Sequence, residues 1–429
     1  MKKNIIIFLV LAALVVLTPK FLSTQIETRY NHLLTEINTH PALSVQNIEH
    51  QAGWFNSNLK YELVFTPVVD GEYMSLEVNE QILHGPVVVD DGLHFALAKA
   101  KSRFRVNGLE MTSEDMASMN EHLKVTSLIS YSGDMKSQFE MKAFDINEEG
   151  SQVSFAPAVG TFLLSAGDDA ISGDLSWEGM SVQFDTGVVK VAGLSGDFDL
   201  NLISGSLFDG TGITVGTANM NLKSFEVQDG AMPPMVMENM KTTFTSGIQD
   251  KLMNMQMDYV IERFDIMGEP LTDTRMNILI DNLDQEGLAE INSLLMDMQT
   301  AVNEGREPED ETEALVKAFP ELLKTDPVFR IDPLETTLID GKVEADLTAT
   351  ANAAKINLNN PESIMQALLL QGNFSLPMMT LQRTGMKPFI DVYVQQGFMT
   401  INGDQVEGRF KWSEGALYLN DKPLPMGGL

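Results

Sequence analysis

Methionine is the residue whose type and spacing come nearest to chemistry in this chain. There are 26 among 429 residues, concentrated between Met232 and Met257. Met253, Met255 and Met257 alternate with Asn254, Gln256 and Asp258, and Met235 and Met237 flank Val236 in the same way. On a strand, a period of two places such thioethers on one face, and soft sulfur ligands select Cu(I). The competing reading is packing, because the unbranched thioether fills irregular apolar surfaces. Packing is the stronger of the two, so Met253, Met255 and Met257 stand as candidates for a metal site and no metal or other cofactor is assigned.

Histidine offers less. All six, His32, His40, His50, His84, His94 and His122, lie before residue 123, and no pair has the HExxH spacing that puts two imidazoles on one helical face. His84 and His94 could meet across a hairpin, although a hydrogen-bonded structural role suits each better. His84-Gly85-Pro86 reads as a corner: glycine lacks a Cβ and proline fixes φ. A serine hydrolase needs an elbow such as GxSxG, and the nearest approach, Gly193-Leu194-Ser195-Gly196-Asp197, has aspartate in place of the second glycine. Gly210, Gly212 and Gly216 miss the GxGxxG spacing by one residue, and no P-loop lysine motif is present. Among sixty carboxylates sequence spacing cannot single out a catalytic dyad, and Glu307 to Glu311 lacks the alternating ligands of a calcium loop. No catalytic residue is expected, and the chain reads as a non-enzyme.

Twenty-nine basic residues against sixty acidic ones leave a formal charge of −31. Nucleic acid is excluded as a partner on that balance, because its binders carry a basic stripe that displaces counterions, and no such Lys/Arg cluster stands out. The absence of cysteine rules out disulfides and thiolate metal sites and suits an oxidising compartment.

These residues must be positioned by elements of two kinds. Lys2 and Lys3 precede an unbroken apolar run, Ile5 to Leu17. That core is short for a membrane span, yet Phe21, Leu22, Ser23 and Thr24 put bulky residues where a signal peptidase requires small ones. Residues 1–22 therefore read as an uncleaved anchor, with its lysines in the cytoplasm and everything beyond Leu22 across the membrane. A stalk helix is expected over 23–40, where Ile26, Tyr30, Leu33, Leu34 and Ile37 form a stripe. Beyond it the pattern alternates. Phe198, Leu200 and Leu202 oppose Asp197, Asp199 and Asn201, as Val343, Ala345 and Leu347 oppose Glu344, Asp346 and Thr348, which is the signature of antiparallel strands with one wet face. The triplets Ser132-Gly133-Asp134, Ser172-Gly173-Asp174 and Ser195-Gly196-Asp197 read as turns at strand entrances.

Helical periodicity returns between Asp284 and Lys324, interrupted by an acidic loop over 303–312. The expected class is α+β: an N-terminal transmembrane helix, then a large, mainly antiparallel β body that could be elongated, with a few amphipathic helices. The loop divides that body into a first half, 41–302, and a second, 313–429.

Gly53-Trp54-Phe55-Asn56-Ser57, His84-Gly85-Pro86 and Leu93 to Ala98 resemble the YdgA-like family of bacterial envelope proteins, a domain of unknown function. Gly397-Phe398-Met399, Gly408-Arg409-Phe410 and Gly415 to Asn420 resemble that family's closing strands, with Lys422 departing from its terminal turn. The likeness covers the anchor, the first hundred residues and the last forty. It implies a structural role for Gly53, Trp54, Phe55, His84, Gly85 and Pro86, and a single-pass inner-membrane protein with a periplasmic body in a Gram-negative bacterium. It implies no activity.

The function expected is that of a binding or scaffold module of the envelope, with the membrane as one partner and a lipid or an envelope protein as another. An apolar ligand would lie along residues such as Met253, Met255, Met257, Ile278 and Ile280. Cu(I) handling is the first alternative and a carboxylate-dependent envelope hydrolase the second. The oligomeric state is not legible.

Overall fold

The computed structural model describes residues 2–65, 74–107, 121–148, 150–230, 232–266, 268–356 and 362–424, with side chains described from Thr18 onward. The first element is one helix, α1, Lys2–Ile37. Anchor and stalk, read as two segments, are therefore continuous through the buried Pro19, which removes one backbone donor without ending the helix. The side chains of the apolar run lie outside the described residues. Among the described residues, no helix is long and apolar enough to cross a membrane.

The body is a single antiparallel sheet, as the alternation predicts. It begins with β1 (Leu43–Ala52), β2 (Asn56–Phe65) and β3 (Met74–His84) and continues through β6 (Ala98–Asn107), β7 (Leu123–Ile129) and β8 (Met135–Met141). Between β3 and β6, a small hairpin of β4 (Val87–Val89) and β5 (Leu93–Phe95) stands apart from the sheet. A second hairpin, β9 (Phe144–Glu148) and β10 (Ser151–Phe155), precedes β11 (Ala158–Leu164). Both β10 and β11 pair with successive stretches of β12 (Ala170–Phe184).

Five long strands follow in meander order: β13 (Gly187–Ser204), β14 (Ile213–Asp229), β15 (Met235–Gln249), β16 (Leu252–Ile266) and β17 (Glu269–Asp284). The chain then leaves the sheet as a helical hairpin, α2 (Gln285–Asn303) and α3 (Glu309–Leu323), and re-enters as β18 (Val328–Leu338) beside β17. The Asp284 side chain caps α2 by accepting from the Gly287 N–H at 2.8 Å. The acidic loop is shorter than its composition suggests. Glu309, Asp310 and Glu311 form the first turn of α3, where carboxylates meet the positive end of the helix dipole. Seven direct pairs join β17 to β18 across the helical excursion, so the sheet runs on through the expected division.

The last strands are β19 (Gly341–Ala351), β20 (Leu368–Pro377), β21 (Thr400–Asn402), β22 (Gln405–Ser413), β23 (Ala416–Leu419) and β24 (Lys422–Pro423). Short helices α4 (Glu362–Ala367), α5 (Met378–Arg383) and α6 (Lys387–Gln395) interrupt them. None of these three was expected from periodicity, and each is too short for a clear one. Only Ser132-Gly133-Asp134 is a turn. The other two Ser-Gly-Asp triplets lie inside β12 and β13, where Gly173 leaves room for the Phe198 ring: a Cβ there would stand 3.0 Å from it.

Two buried clusters anchor this sheet. In the first, Leu22, Ile26 and Leu34 of α1 pack on Leu59, Ile82, Ala98, Ala100 and Ile129 of β2, β3, β6 and β7. In the second, Leu288 and Ala289 of α2 and Leu322 of α3 close over Ile213, Met253 and Leu283 at one end of the long strands. Polar contacts tie α1 and the loop after it to the middle of the chain. Arg29 grips Asp168 in the β11–β12 turn with both guanidinium nitrogens, at 2.6 and 2.5 Å. Ser206, after β13, donates to Glu36 at 2.8 Å, and Asn303 of α2 donates to the Pro41 carbonyl at 2.5 Å.

Candidate functional site

The registers place apolar side chains opposite one another from strand to strand. One row runs Ser57, Ile82, Ala100, Ser127 and Ser137 across β2 to β8. It continues as Phe162, Gly173, Phe198, Ala218, Phe244, Met257, Ile278, Ile331 and Leu347 across β11 to β19. Residues directly opposite in an antiparallel pair share a face. The next row, two residues along, carries Met135, Leu164, Ile171, Leu200, Met255, Ile280 and Phe329 and reaches Leu370, Trp412 and Leu417. At about 4.8 Å per strand, the nine positions from β11 to β19 span roughly 38 Å.

A line of left-handed residues keeps this face intact along the strands. Gly193, Asn239 and Asp273 have φ of +65°, +53° and +51° on β13, β15 and β17. On β13 the apolar phase is Phe198, Gly196, Leu194 on one side of that line and Val191, Val189 on the other. Val191 pairs with Phe225, Phe225 with Met237, Met237 with Phe264 and Phe264 with Leu271. The alternation slips by one residue in every strand at the same level, and the apolar side chains stay on one side of the sheet.

What differs along the rows is the cover. Over β2, β3, β6 and β7 the face is closed by α1, and Ile82 is 1% exposed. Over β11 to β19, Leu164 and Ser246 of the second row are buried, but most of the same two rows is only half-buried and Phe162 is 41% exposed. Among the described residues, the second buried cluster is confined to the strand ends beneath α2 and α3.

The three methionines sit on this face. Met253 is buried against Leu283, with Met255 beside Ile280 and Ser246, and Met257 beside Ile278 and Phe244. Mostly apolar neighbours flank the thioethers, and Met257 Sδ accepts from Tyr259, which is the environment of a packing residue. Among the described residues, no group of three His, Asp or Glu side chains is placed to hold a metal.

Under α1 lies a polar cluster. Tyr61 and Ser102 donate to one oxygen of Glu80 at 3.4 and 3.2 Å, the other oxygen is fully covered, and the Tyr30 phenol also bonds to this carboxyl. Burial raises the Glu80 carboxyl above its ordinary value. Burial together with Glu80 raises the Tyr30 and Tyr61 phenols.

The motif residues come together where α1 enters the body. His84 Nδ1 donates to the Trp54 carbonyl at 3.3 Å and Nε2 accepts from the Ser57 hydroxyl at 2.9 Å. Burial lowers this imidazole's pKa and so favours its neutral form. Gly85 lies against Ala96, where a Cβ would stand 1.8 Å from the carbonyl oxygen, and the Gly85–Pro86 peptide is cis. The Pro86 carbonyl accepts from Tyr131. His94 makes a separate contact, 3.0 Å from Asp91, so the two histidines do not share a site.

A model of bacterial proteins of unknown function, DUF945, matches residues 1–427. The chain belongs to the DUF945 family. Protein YdgA of Escherichia coli (strain K12) is similar, 24% identical over 370 residues covering 80% of this chain and 73% of that protein. No solved structure matches the chain.

Other features of this DUF945 chain are less informative chemically. An open cavity of about 480 Å³ is lined by Glu335, Glu344, Asp346, Glu407 and Arg409. Glu335 and Glu344 face each other across β18 and β19, but Lys342 bridges them at 2.6 and 2.5 Å. That is an outward ion-pair ladder rather than an acid and base in a cleft. One grouping escaped the sequence reading: Lys99, Lys101, Arg103 and Arg105 alternate along β6, with Lys124 on the neighbouring β7 and Lys136 on β8 beyond it. The alternation in Lys-Ala-Lys-Ser-Arg-Phe-Arg was its signal.

Proposed function

We propose that the chain is a non-enzymatic binding module of the bacterial envelope. In this reading α1 holds it in the inner membrane, the sheet lies on the periplasmic side, and an apolar ligand such as a phospholipid acyl chain occupies the open face. The observation that carries the reading is the row Phe162, Phe198, Phe244, Met257, Ile278, Ile331 and Leu347, in register over nine strands and with no covering layer among the described residues. Burying apolar surface is worth about 25 cal/mol per Å², and exposed apolar areas much larger than a few hundred Å² mark interaction sites. A width of roughly 38 Å, at about 4.8 Å per strand, exceeds the ~30 Å hydrocarbon thickness of a bilayer. An extended acyl chain therefore fits along it. The apolar run Ile5 to Leu17 and its preceding lysines support the membrane placement.

Native mass spectrometry of the full chain, released gently from its own membranes, tests the ligand. The expected result is a reproducible added mass of phospholipid, lost in Phe244→Asp. A bare chain overturns the lipid reading, and an added mass of copper lost with the methionines moves the function to the thioethers.

A further inference from the structure

The β4–β5 hairpin is patterned the wrong way round for a body surrounded by water. Val88 is buried at 2%, whereas the outward positions are Val87, Val89, Leu93 and Phe95, with Val89 75% and Phe95 67% exposed. Val87 faces Phe95 and Val89 faces Leu93 across the hairpin, so the apolar side chains form one continuous patch. A hairpin packed on a core by one face ordinarily turns polar residues outward. Trp54 and Phe55 at the β1–β2 turn, and Phe21 on α1, are also exposed.

Geometry puts these groups level with one another. Helix α1 and β1 run back against each other: Asn38 accepts from the Val45 N–H at 2.8 Å, and His50 lies 3.3 Å from Glu27. The eleven helical residues between those contacts cover about 16 Å at 1.5 Å each, and the five strand residues, with a bulge between Gln46 and Glu49, advance four steps of about 3.3 Å, about 13 Å. Continuing by the same rises, the Trp54 turn falls level with Thr18 and Pro19, where the apolar run of α1 ends. His84 holds that turn by the Trp54 carbonyl, and Tyr131 holds the hairpin by the Pro86 carbonyl.

The patch is also electrically quiet in a chain of charge −31. Its two carboxylates are both paired, Asp90 with Lys101 at 2.5 Å and Lys99 at 3.1 Å, and Asp91 with Lys99. The lysine bonds hold both carboxyls below the usual carboxylate range.

We propose that the β4–β5 hairpin, the Gly53–Asn56 turn and Phe21 form a collar that inserts into the lipid bilayer interface around the point where α1 enters it. Aromatic and aliphatic side chains at headgroup depth are what such an interface accepts. The collar fixes the tilt and height of the body above the membrane, and so the orientation of its open sheet face. The inference rests on the membrane reading of α1.

The test uses the full chain in vesicles of phosphatidylethanolamine and phosphatidylglycerol, some of it brominated in the upper acyl chain. Trp177→Phe and Trp412→Phe leave Trp54 as the reporter, and a parallel chain carries Leu11→Trp with all three native tryptophans replaced by Phe. Expected is loss of most emission from both reporters. Quenching of the helix reporter alone overturns the collar and leaves the anchor standing; quenching of neither overturns both. Because the chain has no cysteine, Val89→Cys with an environment-sensitive dye gives a second readout if the tryptophan variants fold poorly. A blue-shifted dye supports the collar. A water-like spectrum, or cross-linking of two copies through the thiol at this position, overturns it.

Discussion

The sheet over β2 to β8 and the sheet over β11 to β19 share the same rows and the same apolar face, yet only the first is closed. There, α1 supplies a layer, and Ile82 and Val78 are 1% and 2% exposed. In the second, Phe198, Phe244 and Ile278 occupy equivalent positions and remain half-buried. Continuous pattern with discontinuous cover teaches that the open region is not a differently designed sheet. It is the same interior surface, with its second layer not provided by the described residues of the chain.

The comparison breaks most sharply under a buried charge. Ile82→Asp should cost more than about 4 kcal/mol and leave the chain unfolded or aggregated. Phe244→Asp, in the same row, should cost under about 1 kcal/mol and abolish lipid retention. Denaturant titrations of the two variants check this, and equal losses would erase the distinction between the regions.

Next in size is the corner that seats the hairpin. Gly85→Ala drives a methyl group into the Ala96 carbonyl and should cost about 2–3 kcal/mol, whereas Gly247→Ala, with open space around it, should be nearly neutral. Thermal melts separate them.

A smaller effect is expected at the tie between the regions. Arg29 and Asp168 are each less than a fifth exposed. Arg29→Met should lower stability by about 1–2 kcal/mol, between the values of surface and buried pairs. Hydrogen exchange should rise first in the β11–β12 turn.

The smallest effect sits beneath α1. Burial raises the Glu80 pKa in the folded chain. The stability tied to its proton is therefore fully present below the ordinary glutamate value and is lost as pH rises through the raised one. Glu80→Gln should flatten the pH dependence of unfolding across that window and leave the neutral-pH fold at least as stable. A steeper profile in the variant would contradict the assigned sign.

Much of this architecture was legible because two periods are hard to confuse. Alternation at Phe198 to Leu202 and Val343 to Leu347 revealed antiparallel strands, and the helical periodicity between Asp284 and Lys324 revealed α2 and α3. The cover was not legible, because residues 23–40 carry a helical stripe whether it faces solvent, membrane or a sheet. Ser172-Gly173-Asp174 was misread because glycine beside serine and aspartate also signals a turn, while the space demanded by Phe198 is a cross-strand fact. Asn239 and Asp273 adopt left-handed backbone that only neighbouring strands reveal. The resemblance singled out Trp54, Phe55, His84, Gly85 and Pro86 as a motif, but only three-dimensional placement brings them to the root of α1. The methionines, the sharpest chemical hint, turned out to line the apolar face.

The central claim, that the open face holds an apolar ligand, is met most directly by a photoreactive benzoylphenylalanine in place of Phe244 in the full chain, irradiated in the producing cells. The account predicts a covalent phospholipid adduct at that position and none from the same group at Thr243, on the polar side. Cross-linking to another segment of this chain, or to a protein with no lipid at either site, would contradict it.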